Sequence, residues 1–214
     1  EWDARARALG GTRNTLLVGL AALLAARAGR VATDGSVVVT LPVNERTADD
    51  TRANAISGVQ VSIDPSTATT DLTELRTTVK EALIRHQEKP DSEEALNALV
   101  PLLSKRLLMV ARSATRGRAF NLVGASNVGE IDAAASRPDG TPAESFALRL
   151  HHLGVDKPAM QQYGGLQTLL SGTAQGRIFI SLISYLPGRL NSKGELRREL
   201  STALEEFSLA GTAL

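Results

Sequence analysis

The stretch "TLLVGLAALLAARAG", residues 15–29, constrains the fold of this chain more than any other. As a helix it is apolar on nearly every face, so it has no side to offer water. It has three outlets: a membrane span, a leader, or burial against other elements. The run is too short to span a bilayer. The residues before it, "EWDARARALGG", carry charges of both signs rather than a short basic leader. Burial against a sheet remains. Thr12 or Asn14 is placed to cap the helix, and Gly29 to stop it after Arg27.

Strands for that sheet follow at once. "SVVVTL" (36–41) is a continuous β-branched run ending at Pro42, which predicts a central strand buried on both faces. "ISGVQVSID" (56–64) alternates, with Val59, Val61 and Ile63 on one side, the pattern of a half-buried strand. After the turn "DPSTATTD", Asp71 and Glu74 open a helix with Leu72, Leu75, Val79, Leu83 and His86 on one stripe. His86 reads as a half-buried histidine near a helix C-terminus, where the dipole favours it, with no partner suggesting a ligand. Asp91 with Glu94 starts a further helix through Leu99, and Pro101 restarts it as "PLLSKRLLMVAR".

"AFNLVGASNVG" (119–129) predicts a strand and a glycine turn, and "DAAASRPDGTPAE" a loop around Pro138, Asp139 and Gly140. "SFALRLHHL" (145–153) and "GRIFISLISYL" (176–186) predict strands. Ser192 with Glu195 forms a capping box for a last helix with Leu196, Leu200, Leu204 and Phe207 inside. The order is α-β-β-α-α-β-β-(β)-β-α. It lacks strict βα alternation, so the expected class is α+β: a mixed α/β two-layer sandwich in a single domain, 1–214.

Composition narrows the chemistry. Aromatics make up 3% of the chain, so its core must be aliphatic. A net charge of +1 argues against nucleic-acid binding. The local basic cluster Arg112, Arg116 and Arg118 reads as a solvated helix end and loop. Without cysteine there is no disulfide, thiolate metal site or cysteine nucleophile, and three histidines, His86, His151 and His152, leave little for a metal site. No metal and no tightly bound cofactor is expected. No Gly-rich phosphate loop is present.

Four stretches in order carry a resemblance. In "TRNTLLVGLAALLAARAG" an Asn-containing start precedes a small-residue helix. In "VVVTLPVNERTADDTRANAISG" a strand leads to Pro42, Val43, Arg46 and Asn54, with Asn44 at a position that is usually Ser. "FNLVGASNVGEI" ends in Ser126, Asn127 and Val128, followed directly by Gly129 without an intervening Pro. "GRIFISLISYLPGRL" ends in Ser184, Tyr185, Gly188 and Leu190. This ordered set resembles the C-terminal half of bacterial wax ester synthase/diacylglycerol acyltransferases, within the superfamily of CoA-dependent acyltransferases and condensation domains.

The resemblance implies a chloramphenicol-acetyltransferase-like half and transfer of a fatty acyl group from acyl-CoA to an alcohol or diacylglycerol. It also implies a general-base histidine on an HHxxxDG loop of an N-terminal half, supplied upstream or by a partner chain. This chain alone is then expected to be inactive. Ser126, Asn127 and Gly129 would line the tunnel between the halves and hydrogen-bond the acyl carbonyl or pantetheine amides, or serve only as turn formers. Arg46 and Asn54 would fix their loop, through hydrogen bonds to its aspartates.

"HHLGVD" (151–156) carries part of the HHxxxDG signature, but in the wrong half and with Lys157 at the glycine position. On a strand His151 and His152 point to opposite faces, and Asp156 is expected beyond the strand end, holding neither ring. His152, on the apolar face, with Asp156 is the alternative catalytic pair of a free-standing enzyme. A non-catalytic, condensation-like interaction module is the other alternative. A cytoplasmic location follows, peripheral to a membrane or lipid droplet where the substrates demand it. Surface exposed by a missing half could drive homodimerisation.

Overall fold

The computed structural model describes residues 1–53, 55–88, 104, 123–137, 139–148, 156–162 and 164–211. Among them the elements are α1 (Trp2–Ala8), α2 (Arg13–Arg27), β1 (Val37–Asn44), β2 (Ile56–Ile63), a 3-10 turn (Pro65–Thr67) and α3 (Thr73–Glu88). They continue with β3 (Val123–Glu130), α4 (Ala133–Ser136), α5 (Lys157–Gln162), β4 (Leu166–Ala174), β5 (Arg177–Tyr185) and α6 (Lys193–Glu206). The fold is mixed α+β.

The apolar helix forms as its sequence demands. Thr12 caps α2 reciprocally: the Thr15 amide donates to the Thr12 hydroxyl, and the Thr12 amide donates to the Thr15 hydroxyl at 2.7 Å. Gly29, at φ 75, terminates it. Leu16, Leu20, Ala21, Ala22 and Ala25 are wholly buried, because α2 lies against β1, β3 and β4 and also touches α1, α3 and α6. Among the described residues no single helix is long and apolar enough to cross a membrane.

One five-stranded sheet runs in the order β2-β1-β3-β4-β5. β1 is antiparallel to β2 and parallel to β3; β4 is parallel to β3 and antiparallel to β5. A parallel core of three strands is thus flanked by a hairpin at each side. The register puts Val37, Val39 and Leu41 level with Ile63, Val61 and Val59, and Val39 level with Val123. These side chains are buried beneath α2 and α3.

The expectation for residues 36–41 is corrected. β1 is buried on one face only: Val38, on the other, is 36% exposed, and the strand continues through Pro42 to Asn44. Among the described residues helices cover only one face of the sheet at β1, so the continuous Val run overstates its burial. Pro42 is tolerated because β1 pairs with β3, among the described residues, only at Val39 and Thr40. Beyond Thr40 that edge has no pairing among the described residues, so a missing amide breaks no ladder bond to them.

Among the elements to which the sequence reading assigned no range are β4 and α1. β4, "LQTLLSGTA", is buried at nearly every position and mixes Gln, Ser, Thr and Gly with Leu, so it shows neither alternation nor a clean apolar run. Its buried polar groups are matched: Gln167 donates to the Ala21 carbonyl at 3.2 Å, and Thr173 accepts from Arg13 at 2.9 Å. α1 has no apolar stripe to announce it. It is pinned from outside, by Trp2 donating to the Arg13 carbonyl and by Arg5 donating to the carbonyls of Phe207 and Thr69.

Residues 145–148, expected to be strand, carry no strand pairing. They cross the open face of β5, where Phe146 packs on Phe179 with ring centroids 4.9 Å apart and the Leu148 amide donates to Ser181. The rest of that expected strand, with His151 and His152, lies outside the described residues, as do the helices expected over 91–112 apart from Ser104. Within the loop expected at 132–144, Asp132 caps the short α4. The last helix begins at its expected capping box, Ser192 with Glu195.

Candidate functional site

The carboxyl ends of parallel β1, β3 and β4 collect the chain's polar side chains, and the N-terminus of α2 points to the same end. In open sheets with parallel strands this is where ligands bind.

At the centre stands Asn127, near the end of β3. Its amide donates to the Asn14 side-chain oxygen in the first turn of α2 at 2.7 Å, and its own oxygen accepts the Gly129 amide at 3.0 Å. The β3–β4 register slips between Asn127 and Glu130, and Gly129 takes φ 78, a backbone that favours glycine. Asn127 therefore builds the bulge and fastens it to α2. Ser126 points to the opposite face of the sheet, level with Leu170. The two side chains do not converge, and both are half-buried. A shallow depression of about 350 Å³ opens next to them between Glu130, Ile131, Ser136, Arg137 and Gln175; Ser126, Asn127 and Gly129 are not among its walls.

Arg46 holds the loop that joins β1 to β2. Its guanidinium donates to the carbonyls of Asp50 and Arg52, at 3.0 and 2.8 Å. The aspartate carboxylate in that loop is instead taken by Arg52, which grips Asp50 at 2.7 Å. Asn54 lies outside the described residues. Asp156, the acid of "HHLGVD", accepts the Ala159 amide at 2.9 Å and so caps α5. That is ordinary work for an aspartate ahead of a helix.

One cluster was not foreseen. His86 of α3 meets Ser57 of β2 and Glu45, just past β1. The Ser57 hydroxyl donates to Glu45 Oε1 at 2.6 Å; His86 Nε2 lies 2.8 Å from that oxygen and 2.8 Å from Ser57 Oγ. A serine, a histidine and an acid in contact suggest a nucleophile, but the geometry opposes it. A relay needs the acid on one ring nitrogen and the serine on the other. Here both share Nε2. The Ser57 hydroxyl, and the His86 ring after it, hold the Glu45 carboxyl below its usual range. An ionised oxygen at that distance requires a proton on Nε2, which leaves no lone pair there to activate Ser57. The cluster is a clasp between α3 and the β1–β2 hairpin. Its signal was strand parity: Ser57 shares a face with Val59 and Val61, and His86 ends the stripe that covers them.

The clasp titrates with a definite sign. Because the folded carboxyl of Glu45 is depressed from 4.5, its contribution to stability is complete above that pH. It is lost as the pH falls through the folded value. Thermal unfolding of Glu45→Gln should accordingly lose less midpoint than the parent between neutral pH and the acid limb. Parallel curves for the two proteins would remove Glu45 from the acid response.

Fold and cluster together define an α+β domain with a mixed sheet and a polar carboxyl end. No protein-family model matches this chain, and no curated protein is significantly similar to it.

Proposed function

We propose that this chain is the C-terminal, chloramphenicol-acetyltransferase-like half of a CoA-dependent O-acyltransferase acting on a fatty acyl thioester and a lipid alcohol. The observation that supports it most is the Asn14–Asn127 pair. The resemblance picks these asparagines out of two stretches 113 residues apart, and their side chains meet at 2.7 Å at the end of the central parallel strand.

The chemistry divides between two halves. A histidine of the N-terminal half takes the proton from the acceptor hydroxyl, and that oxygen attacks the thioester carbon. The C–S bond breaks, and the CoA sulfur leaves with the proton the histidine returns. This half contributes a rigid edge of donors at the β3 bulge. The Ser126 hydroxyl and the backbone beyond Asn127 can face the thioester carbonyl or the pantetheine amides. Such a protein would work in the cytoplasm or where its lipid substrates collect.

The test is acyl transfer from palmitoyl-CoA to a long-chain alcohol, by this chain alone and joined to a half bearing HHxxxDG. The chain alone should show no turnover and the joined protein should. Asn127→Ala in the joined protein should lower turnover about tenfold, the worth of roughly one hydrogen bond, with KM for the alcohol little changed. Turnover by the isolated chain that disappears in His152→Ala would replace this reading with a free-standing enzyme. No turnover from the joined, folded protein would leave a non-catalytic module.

A further inference from the structure

The other end of the sheet, remote from the Asn127 bulge, carries a second feature. β5 ends at Tyr185, and residues 186–192 lead into α6. Leu190 in that turn is 81% exposed, more than any other exposed large hydrophobic side chain among the described residues. It is not on a loose loop. The Asn191 carboxamide accepts the Leu186 amide at 2.6 Å and donates to the carbonyls of Leu186 at 2.8 Å and Arg189 at 2.7 Å. Asn191 and Gly188 both take positive φ, 52 and 79, which tightens the turn. Asn is the non-glycine residue best suited to that backbone. The turn is thus built to hold a leucine out into water, which costs solvation and which nothing in the fold requires.

Next to it in the chain come Arg189, Lys193, Arg197 and Arg198, all exposed, with no acidic partner within salt-bridge distance among the described residues. Two acids adjoin them: the carboxylate of Glu195 is occupied by the Ser192 cap, and exposed Glu199 reaches none of them within salt-bridge distance. Lys193, Arg197 and Arg198 sit in the first two turns of α6, and Lys193 in particular stands at the end where the helix dipole is positive and opposes it. An exposed apolar tip followed within eight residues by unpaired, exposed cations is complementary to an interface that is anionic above and hydrocarbon below.

We infer that the 186–198 turn and helix start form a docking surface for an anionic lipid bilayer, with Leu190 entering the headgroup boundary and Arg189, Lys193, Arg197 and Arg198 meeting lipid phosphates. A protein partner is less well matched, since a lone protruding leucine offers neither groove nor pocket. A nucleic acid is also less well matched, since the residue the turn holds out is a leucine and not a ring on which a base stacks. The surface lies at the opposite end of β5 from the proposed transfer site, so the two are separable by mutation.

Co-sedimentation of the full chain with phosphatidylcholine vesicles, with and without phosphatidylserine, tests it. Binding should require phosphatidylserine and fall with added salt. Replacing one of these cations by Gln should weaken partitioning about fivefold, the equivalent of ~1 kcal/mol for each Lys or Arg at such a surface. Leu190→Ser should weaken it by a similar factor at constant charge. Leu190 supports no hydrogen bond of the turn, so that variant should keep the parental unfolding midpoint. Failure to bind anionic vesicles overturns the proposal. So does binding that Leu190→Ser leaves intact, because that outcome describes cations adsorbing to headgroups without the leucine entering the bilayer. Leu190→Ser should not change acyl transfer to a soluble alcohol, which keeps this result independent of the enzymatic reading.

Discussion

Gly165→Ala should be among the most damaging single changes in the chain, lowering stability by about 2–5 kcal/mol. Two costs combine. Gly165 sits at φ 84, a backbone that costs an L-residue with a Cβ ~1–2 kcal/mol. A Cβ there would also lie 2.1 Å from the Tyr185 carbonyl oxygen, 2.7 Å from Arg30 Nη2 and 2.8 Å from the Pro187 ring. Forcing that contact apart adds an overpacking cost of roughly 1–3 kcal/mol. The nearest atom is backbone at the end of β5, so no side chain can swing clear.

Nor can the guanidinium give way. Arg30 is 2% exposed and donates to the Tyr185 carbonyl at 2.9 Å. Its Nε has no partner among the described residues, and burial lowers its affinity for the proton. Arg30 ties the segment after α2 to the ends of β4 and β5, and Gly165 is the space it needs. Urea unfolding measures the effect directly. A Gly165→Ala protein as stable as the parent would mean that the Arg30–Tyr185 contact is not made.

Phe207→Ala should cost about 3–5 kcal/mol, the usual range for emptying a buried aromatic site. Phe207 follows α6 and is fully buried, in the same core cluster as Trp2, Ala6, Leu9 and Ala203. Trp2, the other ring of that cluster, is held by its bond to the Arg13 carbonyl and does not swing in to fill the void. The position is also fixed by its backbone, since Arg5 of α1 donates to the Phe207 carbonyl at 2.6 Å. α1 cannot slide inward without breaking that bond. Phe207→Leu should recover more than half of the loss, because most of the volume returns. Equal losses for Ala and Leu would point to the ring itself rather than to the volume it fills.

What could be read from the sequence divides by physical cause. α2 and α6 were legible to within a residue or two because their caps are written in side chains, Thr12 and Ser192, that bond locally. β2 was legible because its two faces meet different surroundings. β4 was not, since a central strand with Gln167 and Thr173 satisfied by α2 has no pattern visible along the chain. β1 misled in the other direction: Val38 is β-branched like its neighbours yet faces the less covered side of the sheet.

At the candidate site, Asn127 and Gly129 could be singled out as a turn, but their link to Asn14 depends on how α2 lies along the sheet. His86 was legible as a helix-stripe residue. Its partners came from strands far along the chain, and neither Ser57 nor Glu45 signals its direction without the pairing register. Arg46 was expected to reach aspartates and instead reaches carbonyls. Local charge matching gives Asp50 to Arg52, which is nearer in sequence.

The two hairpins that flank the parallel core carry a consequence for how the chain assembles. β4–β5 closes over two residues, Gln175 and Gly176, and β1–β2 over the longer 45–55 loop, so each pair can form locally, early and reversibly. Joining them requires β3 to dock between β1 and β4, and the contact of Val39 with Val123 must close a loop spanning α3 and everything after it. That closure costs entropy before any packing rewards it. Refolding should therefore be limited by the arrival of β3. Until it arrives, β1 and β4 each present an unpaired inner edge, open to the wrong neighbour in a crowded solution.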